Sequence, residues 1–122
     1  MDRETFSGLV EKAVKNLPED FLARLDNIDV VVADAPTPKQ SKKAGIRKGG
    51  TLLGLYEGVP LTRRGAFYQL AVPDKITIFQ LPIEARCGDE RRIYAEIEKV
   101  LRHEVAHHFG ISDERLKEIG KY

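Results

Sequence analysis

Apolar residues first recur at Phe6, Leu9, Val10, Ala13, Val14 and Leu17. That i, i+3, i+4 spacing puts a single stripe along an amphipathic helix. Pro18 suits the first turn of a second, shorter helix that carries Phe21, Leu22 and Leu25. The β-branched run IDVVVA, residues 28–33, predicts a buried strand. Periodicity then stops in DAPTPKQSKKAGIRKGG, whose prolines, glycines and lysines predict a surface loop. Three further strands are expected: TLLGLYEG, AFYQLAV at residues 66–72, and KITIFQL, where Ile76, Ile78 and Gln80 alternate against Thr77 and Phe79. The Pro73-Asp74 pair between the last two suits a tight antiparallel connection. EARCGDE reads as a loop, residues 89–109 as a long helix, and the chain from Ser112 as a short final helix. Helices packed on a small four-stranded sheet make an α+β domain.

Composition narrows the class. The 122 residues suffice for a single domain with one core, expected to span 1–122. Hydrophobic residues at 42% and charged residues at 32% describe a globular chain. Net charge is +1, which points to no polyanionic partner. The five basic residues of the loop (Lys39, Lys42, Lys43, Arg47 and Lys48) have no aromatic residues interleaved for base stacking, so they read as a solvated loop rather than a nucleic-acid site. No stretch approaches a membrane span, and the N-terminus has no apolar signal core. With Cys87 as the only cysteine, no intrachain disulfide can form, and a cytoplasmic setting is expected. Cys87 itself reads as a free thiol without a chemical role.

The chemistry concentrates in LRHEVAHHFGISDE, which holds all three histidines. On a helix, His103 and His107 stand one turn apart on one face and can place two imidazole nitrogens on a single ion. Glu104 is turned to reach a water there rather than the ion itself, the arrangement of metal plus base. Ile93, Ile97, Val100, Leu101, Val105 and Phe109 form a broad apolar arc, with His103 and His107 on its flank. A catalytic zinc takes three protein ligands. On a continuous helix Asp113 would lie about 9 Å beyond His107 along the axis. Gly110 can end the helix and bring Asp113 back to the ion, completing HExxHxxGxxD. The alternative for Asp113 is an acidic residue in the first turn of the last helix, behind Ser112 as N-cap. His108 points at the middle of the apolar arc and reads as a hydrogen-bonded core residue.

HEVAHHFGISDERL, LLGLYEGVPLTRRG and VPDKITIFQLPIE together resemble the small bacterial zincin-like metallopeptidase family. The resemblance runs from the first helix to the last. It implies a minimal zincin fold: a small mixed four-stranded sheet, an N-terminal backing helix and an active-site helix. It also implies zinc-dependent hydrolysis of peptide bonds in a peptide or protein substrate, with His103, His107 and Asp113 as metal ligands and Glu104 as general base. Glu114 and Glu118 are weaker substitutes for Asp113. Metzincins place a methionine turn beneath the metal, whereas the only methionine here is Met1. In the zincin layout an extended substrate lies along an edge strand, for which residues 66–72 are the candidate. Tyr56, Tyr68, Arg63 and Arg64 are candidates to assist the oxyanion. Two readings compete with hydrolysis of peptides: a non-catalytic zinc domain that binds a partner, and a metal-dependent nuclease suggested only by the basic loop.

Overall fold

Asp2 begins the first helix. Its carboxylate accepts a hydrogen bond from the Thr5 amide at 2.7 Å, satisfying one of the donors that the first helical turn leaves open. In the computed structural model, which describes residues 1–25, 28–45, 51–58 and 74–108, α1 then spans Arg3–Lys15. The bonds from Thr5 hold the Asp2 carboxyl below its usual value. A group whose folded pKa is depressed contributes stability above its unfolded pKa and loses it as pH falls through the folded one. Asp2→Ala is therefore expected to melt below wild type at neutral pH. The two melting curves should converge in acid, which thermal scans across pH check.

The remaining elements are α2 (Glu19–Arg24), β1 (Ile28–Ala33), α3 (Pro38–Lys43), β2 (Gly54–Glu57), β3 (Asp74–Phe79), α4 (Gln80–Arg86) and α5 (Glu90–His108). The described strands form one mixed sheet in the order β1-β3-β2. β1 runs parallel to β3, pairing Ile28 with Asp74 through Ala33 with Phe79. β2 runs antiparallel to β3, pairing Gly54 with Ile78 and Glu57 with Lys75. α1 and α5 pack against each other. Phe6, Val10 and Ala13 of α1 join Ile97, Leu101 and Val105 of α5 and Ile76 and Ile78 of β3 in the core. Each such fully buried aliphatic or aromatic side chain stabilises the fold by about 1.5–3 kcal/mol through removal from water. The expected stripes of α1 and α5 are thus the faces that close the core.

Three expectations are corrected, and the strand count is met in part. β1 is half-buried rather than buried, and Val31 is 39% exposed. Among the described strands β1 stands at the end of the sheet, and only its Ile28, Val30 and Val32 face packs toward the core. The expected loop after it contains α3. Thr37 and Gln40 there form a reciprocal capping box, with Pro38 in the first turn. Lys39, Lys42 and Lys43 lie on this helix, with Lys39, Lys42 and Lys43 all in its six residues and none of them buried.

Gln80 does not continue the β3 alternation. It opens α4, which also takes in Glu84, Ala85 and Arg86 of the expected EARCGDE loop. Its buried amide is fully engaged: Oε1 accepts from Arg3 Nε at 2.8 Å, and Nε2 donates to Glu84 Oε1 at 2.8 Å and to the Met1 carbonyl at 2.9 Å. A polar side chain so buried stays because every part of it is bonded.

Finally, four strands were expected and three are described. The strand expected at residues 66–72 lies outside the described residues. Both edges of β3 are taken, by β1 and β2, so the antiparallel connection expected through Pro73 and Asp74 has no open edge of β3 to pair with.

Candidate active site

α5 carries the site. Asp89 starts it, accepting from the Arg92 amide at 2.8 Å. The helix continues for 19 residues without interruption through His103, Glu104, His107 and His108. His103 and Glu104 are half-buried, and Nε2 of His103 is screened from solvent. His107 and His108 are placed in α5, with side chains outside the described set. Phe109, Gly110, Ser112, Asp113, Glu114 and Glu118 lie outside the described residues, as do Arg63, Arg64 and Tyr68. Among the described residues no group of three or more His, Cys, Asp or Glu side chains is close enough to hold an ion.

Glu104 stands four residues after Val100 and three after Leu101, so it shares the face of α5 that packs toward the sheet. A carboxylate on such a face requires a partner. It has one: Glu104 Oε1 accepts a hydrogen bond from the backbone amide of Tyr56 at 2.8 Å. The direction of that amide follows from the ladder. Phe79 donates to the Leu53 carbonyl at 3.0 Å, so the residue pairs that exchange hydrogen bonds fall at 53, 55 and 57 of this segment. Gly54 and Tyr56 lie between them and direct their backbone groups away from β3. The Glu104 carboxylate is thereby held at the outer edge of β2. The sequence holds a signal for this contact that the reading of the motif passed over: an acid inside the apolar stripe of the helix.

Glycine sets how closely α5 approaches. Gly54 is buried, and a Cβ on it would run into the Val100 side chain and stand 3.3 Å from the Thr77 carbonyl. Gly54→Ala is expected to lower stability by about 1–3 kcal/mol, the usual cost of overpacking. It should also push α5 outward at Glu104. Denaturant unfolding checks the first effect and the amide shift of Tyr56 the second.

Tyr56 serves the site with its backbone and points its phenol elsewhere, donating to Asp74 Oδ2 at 2.9 Å. Cys87 is half-buried and free, and burial pushes its thiol up, which suppresses the reactive thiolate.

A helix bearing HExxH beside an antiparallel strand, over a core closed by a backing helix, is the layout of a zincin. The sequence profile of the zincin-like metallopeptidases matches residues 25–122, and the chain belongs to that family. Its structure is also similar to that of a conserved hypothetical protein from Thermo thermophilus, with a TM-score of 0.61 and 26% identity. The match covers 89% of this chain and 94% of that one. No curated protein matches the sequence. Among the described residues no helix is long and apolar enough to cross a membrane.

Proposed function

We propose that this protein is a zinc-dependent metallopeptidase that hydrolyses peptide bonds, with Glu104 as general base. The observation that carries the reading is the Glu104 carboxylate, fixed at the edge of an antiparallel strand one residue from His103 on the helix of the HExxH motif. The donor chemistry suits zinc: two imidazoles, one with Nε2 kept out of water, and a carboxylate from Asp113. His103, His107 and Asp113 would hold the ion. When bound, zinc supplies Lewis acidity, which makes a water acidic near neutral pH and polarises a carbonyl.

The chain's own residues supply the remainder. Glu104 accepts the proton of the attacking water and passes it to the departing amine. Tyr56 donates its amide to Glu104 Oε1, which fixes the direction of the base. The extended substrate lies along an edge strand, for which residues 66–72 remain the candidate. The protein acts in the cytoplasm in this reading.

The test is digestion of a peptide library by zinc-loaded protein, with and without a chelator. Cleavage that the chelator stops and zinc restores is expected. Chelator-insensitive cleavage overturns the reading.

A second reading has an observation in its favour. The bond between Glu104 and Tyr56 ties α5 to β2, as a strut would in a non-catalytic zinc domain. Such a domain binds zinc and cleaves nothing, so the same digest separates the two.

A further inference from the structure

Glu104 reaches Tyr56 through a side chain with three rotatable bonds, so a single bond to a loose amide would not hold its carboxylate in place. The Tyr56 amide is not loose. Its neighbours Leu55 and Glu57 lie at the hydrogen-bonded positions of the β2–β3 ladder, opposite Thr77 and Lys75. Its own ring is tied down at the far end, where the phenol donates to Asp74 Oδ2 at 2.9 Å. Asp74 heads β3, and its carboxyl group fills the space beside Gly58: a Cβ there would stand 2.7 Å from the carboxyl carbon and 2.8 Å from Oδ2. Glycine at position 58 leaves room for the Asp74 carboxylate to meet the phenol.

We infer that Tyr56 and Asp74 are a positioning pair for Glu104, acting through the Tyr56 main-chain amide. Asp74 anchors the ring, the anchored ring fixes the backbone of residue 56, and that backbone aims the carboxylate of α5. The catalytic meaning of the pair rests on the hydrolase reading above, whereas the contact itself does not. Neither residue touches substrate in this scheme. Outer partners of this kind are worth about 10–100-fold in the activity of the group they orient.

The experiment follows individual amides of the zinc-loaded full chain by hydrogen exchange in NMR, in parallel with peptide cleavage. Glu104→Ala should remove the protection of the Tyr56 amide, by about tenfold or more, since a bond to a charged acceptor is being lost. Tyr56→Phe and Asp74→Ala should each weaken that same protection while the amides of Leu55 and Glu57 keep theirs. The double variant should be no worse than either single one, because both break one bond. Asp74→Asn still offers an oxygen to the phenol and should recover most of the lost protection. In cleavage, Tyr56→Phe and Asp74→Ala should lower kcat about tenfold with KM and zinc content close to wild type. A Tyr56 amide unaffected by Tyr56→Phe and Asp74→Ala overturns the inference. So does equal loss of protection at Leu55 and Glu57, which would mean that the pair merely stabilises the strand. If the amides behave as expected but wild type cleaves no peptide, the contact stands and the hydrolase reading falls.

Discussion

Glu104→Gln is expected to abolish peptide cleavage and to leave zinc content and melting temperature near those of wild type. The structure makes this substitution cleaner than the motif alone would. Glutamine keeps a carbonyl oxygen of the same reach, so it can still accept from the Tyr56 amide and hold α5 to β2. It cannot take up a proton from water. Losing a general base costs about two to four powers of ten in rate. The comparison is cleavage of a peptide library by both proteins at equal zinc loading, with thermal melting as the control for folding. If wild type cleaves and the variant cleaves as well, Glu104 is only a strut and the base lies elsewhere. Glu104→Ala gives the counterpart: it removes base and strut together, so its melting temperature should fall as well.

His103→Ala and Asp113→Ala are expected to lose zinc, whereas His108→Ala should keep it and unfold more easily. Two imidazoles and one carboxylate are the minimum for a catalytic zinc with a position open to water. Removing one of them should weaken binding by more than the roughly 10–100-fold that an outer partner costs. His103 lies on the flank of α5, half-buried, with Nε2 out of solvent. The sequence reading puts His108 on the apolar arc of the helix, and on that expectation replacing its imidazole with a methyl leaves a cavity. Competitive titration with a zinc indicator ranks the three variants, and denaturant unfolding supplies the stability arm. If Asp113→Ala binds as tightly as wild type, the third ligand is another residue, and Glu114 and Glu118 are next to be replaced.

The helices were the most legible part of this chain. The stripes of α1 and α5 are long and regular, and their apolar faces have a single way to be buried. Shorter elements were less so, because local chemistry competes with pattern there. In α3 a Thr37–Gln40 capping box and Pro38 organise six residues that look like loop by composition. At Gln80 the strand pattern runs on in the sequence, while the amide is drawn into bonds with Arg3, Glu84 and Met1 that no local window contains. Sheet order was illegible for a similar reason. The parallel pairing of β1 with β3 joins segments 46 positions apart, from Ile28 to Asp74, with β2 between them in the chain. In the site, the spacing of His103, Glu104 and His107 was readable because a helix makes spacing into geometry. The Tyr56 partner of Glu104 was not, because it arrives from a strand 48 positions away.

The place of β3 at the centre of the sheet carries a consequence for how the protein is made. A ribosome emits β1 and β2 well before β3, yet neither has the other as a partner among the described strands. Until β3 emerges, β1, with its Ile28, Val30 and Val32 face, lacks the strand it pairs with among the described residues. α1 meanwhile waits for Ile97 and Leu101 of a helix not yet translated. Contacts so distant in sequence form late and slowly. Apolar surface exposed in this way during synthesis is the kind that holdase chaperones cover.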